Sequence, residues 1–338
     1  MEIQHSLETE LYNLRKTAPS MAFDPEKQSF DEWKTAAIAK LSELLGLHKF
    51  TKCEDNFEIE NVEDFSDHTK IRFCFDSEEN CRVPCVLVVP KKKCCEKPPL
   101  MICLQGHGTG MHISLGVPKY DIDSSKIENG DRNFAVQCVT KGICALAIDQ
   151  RCFGERGGNP RPDCHGASMT ALLTGRTVIG GRVWDVMRAI DVIEKHFADK
   201  CDTEKIYSMG NSGGGTATFY LSALEDRIKA AIPSCAFCTF YDSIGAKNHC
   251  ECNYIPHIAE YFDMAEIAGM SAPKPLVIVS GLTDGIFPID GAKAEFARLK
   301  EIYAASENPE NCAHVIGSEG HRFYAQDAWK VFVSKVQI

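Results

Sequence analysis

The chain has 338 residues, of which 44% are hydrophobic and 25% are charged, a composition typical of soluble globular proteins. Its formal net charge of −10 argues against nucleic acid and anionic membrane surfaces as partners. The first residues lack the basic region and the apolar core of a signal peptide, and no apolar run is long enough to span a membrane. We therefore expect a cytoplasmic protein.

The first fifty residues predict a helical segment. Apolar residues between Trp33 and Leu45 recur mostly every three or four positions, which indicates an amphipathic helix that begins near Phe30 and ends near Gly46. We expect residues 1–50 to pack on a larger domain formed by residues 51–338. An independent binding module is the less favoured alternative.

The larger domain begins with a predicted hairpin and continues as an alternating α/β pattern. Residues 70–75 and 82–89 are strand-like and flank a polar turn, so the sheet should begin antiparallel. Short apolar runs then alternate with helical patterns, and they predict strands at 100–104, 143–148, 205–209, 229–233, 276–280 and 313–316. This alternation indicates a mostly parallel sheet with helices on both faces and functional residues at the carboxyl ends of its strands.

Seventeen cysteines are scattered along the chain. An uneven, scattered set in a chain of this length indicates free thiols in a reducing compartment and not a disulfide framework. Three groups have the spacing of metal or redox sites: Cys94 with Cys95, Cys235 with Cys238, and His249 with Cys250 and Cys252. A structural zinc site needs four ligands, usually as two paired clusters, and no second cluster of matching spacing is evident. We therefore expect no metal and no cofactor.

The most informative motif is Gly-Asn-Ser-Gly-Gly at residues 210–214, which follows a predicted strand and precedes a helical pattern. This G-x-S-x-G pattern in a strand–turn–helix context is typical of a nucleophile elbow, a tight turn that lifts a serine hydroxyl above the sheet edge. Only very small side chains fit at Gly210 and Gly214, where strand and helix approach each other. The motif predicts Ser212 as a nucleophile.

Two further residues follow in the chain order that a hydrolytic triad requires. Asp284 and His321 each lie just past a predicted strand, and a serine needs a neutral imidazole to accept its proton and a carboxylate to orient that imidazole. Each of the three residues also has an ordinary structural explanation: Ser212 as a turn serine, Asp284 as a turn aspartate and His321 as a helix-capping histidine. Asp149 and Glu155, beyond an earlier strand, are rival acids. The agreement of order and position favours Ser212, Asp284 and His321.

The same site needs amide donors for the oxyanion of a tetrahedral intermediate. Gly213, directly after the predicted nucleophile, supplies one. The loop Gln-Gly-His-Gly-Thr-Gly at residues 105–110 is expected to supply the other, through the amide of Thr109. A flexible glycine turn and a phosphate-binding loop are the alternatives, and the second is disfavoured because no Gly-Lys-Ser/Thr follows.

Two long connections, residues 149–175 and 235–272, leave the active-site edge of the sheet and should form the walls of a substrate pocket. We expect His107, Arg151 and Tyr254 to contact the substrate. For Arg151, an ion-pair network with Glu155 and Arg156 that braces the loop is the favoured alternative.

These motifs together resemble the acetyl xylan esterase and dienelactone hydrolase-like branch of the α/β-hydrolases. The resemblance covers roughly residues 30–335 and rests on the elbow, the loop at 105–110 and the segments 149–157, 175–185, 253–256 and 320–323. It implies an eight-stranded α/β-hydrolase fold, no metal, and hydrolysis of small or saccharide esters, with acetyl esters of carbohydrates as one substrate class.

Two departures from that branch stand out. The carbohydrate acetyl esterases carry an Arg-Gly-Gln motif and a glutamine after the nucleophile, whereas this chain has Gln150-Arg151-Cys152 and Gly213. Dienelactone hydrolases use a cysteine nucleophile, and here the position is Ser212. The first departure argues against xylan as the substrate, and the second argues against dienelactone hydrolase activity.

The favoured hypothesis is a serine carboxylesterase that acts on small acyl esters. Its activity should fall as the histidine becomes protonated, because only a neutral imidazole accepts the serine proton. A prolyl-oligopeptidase-like peptidase uses the same triad but usually carries a large additional β-domain. A non-catalytic, cysteine-rich metal- or redox-sensing protein is the third alternative. The acyl group, the alcohol and the oligomeric state are not predicted.

Overall fold

The computed structural model describes residues 5–158 and 162–336. Within them, nine strands form one sheet in the order β1-β2-β3-β5-β4-β6-β7-β8-β9. The strands are β1 (Glu58–Asp64), β2 (His68–Glu78), β3 (Cys81–Pro90), β4 (Pro99–Leu104), β5 (Cys144–Ile148), β6 (Asp202–Asn211), β7 (Ile228–Ser234), β8 (Leu276–Gly281) and β9 (Cys312–Gly317). The first three strands and the β3–β5 pair are antiparallel, and every pairing from β5 to β9 is parallel. The mostly parallel sheet is confirmed.

Helices cover both faces of this sheet. They are α1 (Ser6–Lys16), α2 (Phe30–Leu44), α3 (Asp121–Glu128), α4 (Phe134–Thr140), α5 (His165–Leu173), α6 (Val178–His196), α7 (Gly213–Leu224), α8 (Ile258–Tyr261), α9 (Met264–Gly269), α10 (Ile289–Ala304) and α11 (Ala325–Val336). Short 3₁₀ turns and one π-helical turn (Tyr241–Gly245) complete the connections. Among the described residues, no helix combines the length and the apolarity needed to cross a bilayer.

The central strand β4 shows how the sequence builds two cores. Leu100, Ile102 and Leu104 point into a core shared with α2, α6, α7, α9 and α10, whereas Met101 and Cys103 point into a second core shared with α4 and α11. Successive side chains of a strand face opposite sides of a sheet, so a continuous apolar run is what a strand covered on both faces requires. The polar site residues therefore lie at the ends of the strands.

Helix α2 begins at a capping box, in which Ser29 accepts a hydrogen bond from the Glu32 amide and the Glu32 carboxylate accepts one from the Ser29 amide. It buries Trp33, Ala37 and Leu41 in the first core, and Gly46 follows with a left-handed φ of 73°. The predicted helix bounds are confirmed at both ends.

The ninth strand is a finding that the sequence did not predict. β1 is an edge strand that pairs with β2, and all seven of its residues are exposed. Its sequence, Glu-Ile-Glu-Asn-Val-Glu-Asp, is dominated by acidic residues and reads as a polar loop. The eight expected strands were found, and this charged edge strand adds one more.

Candidate active site

Ser212 occupies a sharp turn between β6 and α7. Its backbone has φ 56° and ψ −127°, a conformation that L-residues rarely adopt and that is typical of strained functional turns. A Cβ at Gly210 would lie 2.4 Å from the carbonyl oxygen of Gly214, and a Cβ at Gly214 would lie 1.9 Å from that of Leu104. The two glycines therefore allow the strand, the helix and β4 to meet closely enough to hold Ser212 at the sheet edge.

Gly214→Ala is expected to destabilise the fold severely, by about 4 kcal/mol or more, because its methyl group meets backbone that cannot move away. The measurement is the urea midpoint together with the yield of folded protein. Gly166→Ala is the matched control: nothing lies within 4 Å of its Cβ position inside α5, so it should leave the midpoint unchanged or raise it slightly. Equal midpoints for Gly214→Ala and the wild type would contradict the packing of the elbow.

The elbow is tied to the neighbouring strand. The amide of Ser212 donates to the carbonyl of Ser234 at 2.8 Å, at the end of β7, and the hydroxyl of Ser234 donates to Asn211 Oδ1 at 2.9 Å. Within the described part of the chain, the hydroxyl of Ser212 has no hydrogen-bond partner. The side chain is thus held by its backbone while its oxygen stays free to react.

Asp284 and His321 come together at the same edge. The amides of Leu282 and Thr283 donate to the carbonyls of Gly317 and Glu319, which joins the loops after β8 and β9. His321 Nδ1 donates to Asp284 Oδ2 at 2.8 Å. Nδ1 is engaged by the carboxylate, and Nε2 has no partner among the described residues. The ring is therefore oriented with Nε2 free to accept a proton.

Asp284 is built to remain ionised. Burial alone would raise its pKa, but the hydrogen bond and charge of His321 and the amides of Ile286 and Phe287 more than offset it, so that the pKa is lowered. Its Oδ1 accepts these two amides at 2.9 and 3.2 Å. The ring of Phe287 also stacks near that of His321, with centroids 6.2 Å apart. The turn after β8 thus fixes both members of the pair.

The two rival acids have other partners. Asp149 Oδ1 accepts the amide of Met111 at 2.6 Å and Oδ2 accepts that of Glu155 at 3.0 Å, and burial raises its pKa. The Glu155 carboxylate forms a bidentate pair with Arg72. Neither carboxylate bonds to His321, so their placement favours Asp284 as the orienting acid.

The loop after β4 lies directly against the elbow. A Cβ at Gly106 would lie 2.8 Å from the Cβ of Ser212, and a Cβ at Gly213 would lie 2.8 Å from Nδ1 of His107. Helix α7 begins at Gly213, so the amides of its first turn have no partner within the helix. These contacts place residues 106 and 107 directly against the elbow.

Thr109 has its side-chain hydrogen bonds elsewhere, with Asp123 and His112. Its hydroxyl donates to Asp123 and pairs with His112 Nε2 at 3.0 Å. The residue lines a cavity of about 290 Å³ together with Arg72, Met111 and Asp149. The cavity lies beside the β2–β5 part of the sheet, and neither Ser212 nor His321 lines it.

The expected substrate contacts Arg151 and Tyr254 have protein partners. Arg151 pairs with Glu78 and Asp185, each at 2.8 Å, in a network that also includes Arg156. This arrangement favours the bracing role. The hydroxyl of Tyr254 donates to the carbonyl of Ile244 at 3.0 Å, and its side chain lines a separate cavity of about 260 Å³ beside α1.

Asp185 at the centre of this network makes stability pH-dependent. Burial would raise its pKa, but Arg156 and Arg151 lower it from 3.8 to about 2. Because its pKa is lower in the folded state, ionised Asp185 stabilises the fold fully at pH values above its ordinary pKa of 3.8. This stabilisation is lost as the pH falls towards about 2. Asp185→Asn should cost about 2–3 kcal/mol at pH 7, and the deficit should narrow by about 1 kcal/mol at pH 3. Urea unfolding at both pH values measures this, with the exposed Asp226→Asn as the control. A loss of unfolding free energy that is the same at pH 7 and pH 3 would contradict the lowered pKa of Asp185.

A polar cavity of about 260 Å³ adjoins His321 and was not predicted. It is lined by Lys126, Asn129, Arg132, Glu319, His321 and Arg322. Lys126 Nζ donates to the carbonyl of His107 at 3.4 Å, and Arg132 Nη2 donates to that of His321 at 3.1 Å. Burial and the charge of Arg132 lower the pKa of Lys126. Both cations lie in a segment whose pattern looks like an ordinary surface helix and loop, so no sequence signal indicated them.

The chain is similar to known proteins in sequence and in structure. Residues 126–268, less than half of the chain, match the model of the family described as acetyl xylan esterase (AXE1). YtaP of Bacillus subtilis (strain 168), a protein assigned to the hydrolases, is 28% identical over 251 residues, which are 72% of this chain and 78% of that protein.

Solved structures share the fold over most of the chain. A Bacteroides fragilis NCTC 9343 protein assigned as an acetyl xylan esterase superposes with a TM-score of 0.77 at 18% identity, covering 93% of this chain and 83% of that one. A glucuronoyl esterase from Solibacter usitatus gives a TM-score of 0.66 at 15% identity, covering 95% and 97%. The chain has the α/β-hydrolase fold and resembles its acetyl xylan esterase branch.

Proposed function

We propose that the protein is a serine carboxylesterase that removes small acyl groups, acetyl above all, from carbohydrate esters. The observation that carries the proposal is the Asp284–His321 hydrogen bond of 2.8 Å at the sheet edge where the elbow holds Ser212. A carboxylate-oriented imidazole beside a serine with a free hydroxyl is the arrangement that acyl transfer requires.

The reaction follows from these groups. Ser212 Oγ attacks the ester carbonyl while Nε2 of His321 takes its proton, and Asp284 stabilises the imidazolium that forms. His321 then protonates the departing alcohol. Water, deprotonated by the same nitrogen, attacks the acyl-enzyme, and the acid leaves as Ser212 regains its proton. The histidine must be neutral at the start of each half-reaction, so activity falls under acidic conditions.

Two amides stabilise the oxyanion in this proposal. The first is that of Gly213 at the start of α7, where the helix dipole adds to its effect. For the second, the sequence predicts the amide of Thr109. The close approach of Gly106 to Ser212 and of the His107 ring to Gly213 supports the His107 amide instead.

Crowding at the elbow supports a small acyl group. A Cβ at Gly213 would lie 2.8 Å from the His107 ring and 3.3 Å from that of Phe153, and the ring of Phe287 stacks near that of His321. We take these rings as the aromatic walls of the acyl site, which favours a methyl or short alkyl chain. The polar cavity beside His321, with Lys126, Asn129 and Arg132 in its lining, supports a hydroxyl-rich alcohol such as a sugar.

The test is a comparison of kcat/KM on matched substrates. An acetylated sugar should be deacylated at least about tenfold faster than the butyryl and feruloyl esters of the same sugar, because each added methylene or ring meets the aromatic walls. An aminoacyl amide should not be cleaved. Equal or faster cleavage of the bulky esters would overturn the acyl assignment, and efficient amide cleavage would favour a peptidase.

A further inference from the structure

A cluster of thiols and one imidazole lies outside the triad. Ligand atoms of His107, Cys164, Cys250 and Cys252 all lie within 4.8 Å of one another. Nε2 of His107 is 3.2 Å from Sγ of Cys252. We call these four residues the Cys3His cluster. It gathers side chains from three separate segments, namely the loop after β4, the start of α5 and the 3₁₀ turn at Glu251–Asn253.

From this cluster we propose that His107, Cys164, Cys250 and Cys252 bind a structural zinc ion. Three cysteines and one histidine are a common ligand set of closed tetrahedral zinc sites. With Zn–S bonds of about 2.3 Å, the ligand atoms of such a site lie about 3.8 Å apart, so the four atoms need to draw together by no more than about 1 Å. All four positions are filled by the protein, which makes the site structural and not catalytic.

The charge of a neighbouring arginine supports the proposal independently. Arg182 is 0% exposed, and its guanidinium donates to the Arg151 carbonyl, to Sγ of Cys252 at 3.2 Å and to Sγ of Cys164 at 3.5 Å. Within residues 5–158 and 162–336, no carboxylate pairs with it. A buried cation without a counter-charge costs several kcal/mol, so something else must compensate it.

Zinc with three thiolates and a neutral imidazole carries a net charge of −1, which balances Arg182. The guanidinium also lies 4.0 Å from the centroid of the Phe153 ring, which holds it in place against the cluster. Arg182 would thus act as an outer partner that donates to two of the ligand sulfurs.

The position of the cluster indicates which segments the ion would hold together. Cys164 belongs to the connection 149–175 and the other two cysteines to the connection 235–272, and these two connections border the elbow. Coordination through Nε2 of His107 places the proton of that ring on Nδ1, which lies against Gly213. One ion would therefore fasten both connections and the loop after β4 to the start of α7.

The test begins with the unaltered protein, purified under reducing conditions and equilibrated with Zn²⁺ or Co²⁺. We expect a single equivalent of zinc that survives dialysis against a weak chelator, and a Co²⁺ form with the intense visible bands and sulfur charge-transfer band of tetrahedral thiolate coordination. A strong chelator should lower the melting temperature of the wild type. These readouts do not depend on activity, so they remain valid if the proposed ester substrate is wrong.

Variants then assign the ligands. Cys164→Ser and Cys250→Ser should each fail to bind a stoichiometric metal ion, and the chelator should no longer lower their melting temperatures. The matched control is Cys94→Ser/Cys95→Ser, an exposed pair that should retain both. No retained metal in the wild type, a disulfide within the cluster by mass spectrometry, or equal metal loss in the control would each overturn the proposal. If the cluster instead holds no metal and Cys252 is a lone thiolate opposite Arg182, the wild type will retain no metal.

Discussion

Ser212→Ala is expected to lower kcat for a small activated acetyl ester by about 10⁴-fold or more, with the fold intact. The hydroxyl makes no hydrogen bond within the described residues, so its removal leaves no buried group unpaired. Alanine also leaves His321, Asp284 and the oxyanion amides in place, so what remains is catalysis by binding and oxyanion stabilisation alone. The measurement is steady-state hydrolysis at matched folded fraction, verified by circular dichroism.

Ser222→Ala is the matched control for this experiment. Ser222 lies on the same helix, α7, and its hydroxyl bonds to Ser271 in the core and not to any group at the elbow. It should retain kcat within about twofold while losing about 1 kcal/mol of stability. Near wild-type turnover by Ser212→Ala, or equal losses in the two variants, would show that Ser212 is not the nucleophile.

Asp284→Asn is expected to lower kcat by about 10⁴-fold while KM changes little. The amide is isosteric and can still accept the amides of Ile286 and Phe287, but it can no longer stabilise the imidazolium and it favours the wrong tautomer of His321. The loss therefore falls on the chemical step. Steady-state kinetics across a pH range separates this effect from a change in binding.

The control compares the two candidate acids. Asp149→Asn removes an acceptor for one of two amides in the neighbouring loop, and it should keep kcat within about tenfold once the folded fraction is matched. If Asp149→Asn lost activity to the same degree while Asp284→Asn remained active, the orienting acid would be Asp149.

The features that the sequence predicted well depend on local pattern. The helix from Phe30 to Gly46 was predictable because a capping box, a three-to-four-residue apolar period and a left-handed glycine coincide there. The elbow was predictable because the tight approach of strand and helix demands glycine at 210 and 214. Parallel strands end at one edge of the sheet, so chain order alone was enough to pair Asp284 with His321.

The features that the sequence did not predict depend on the approach of distant segments or on partners that no pattern encodes. The acidic strand β1 gains its structure from pairing with β2 and not from burial, so apolar periodicity could not reveal it. The position of Thr109 depends on Asp123 and His112, which hold its hydroxyl.

The Cys3His cluster is the clearest example of a feature that the sequence did not predict. Zinc motifs are usually recognised by paired ligands at fixed spacing, and here only Cys250 and Cys252 are neighbours in sequence. His107 and Cys164 come from the loop after β4 and from the start of α5, 145 and 88 residues before Cys252. Only the folded chain places the four together, which is why the spacing argument predicted no metal.

The most direct test of the central claim is covalent labelling with a fluorophosphonate, followed by intact mass measurement and peptide mapping. We predict a single adduct on Ser212 in the wild type and no adduct in His321→Ala over the same time, because the serine needs the imidazole to become nucleophilic. An adduct at another residue, no adduct in the wild type, or labelling of His321→Ala at the wild-type rate would contradict the account.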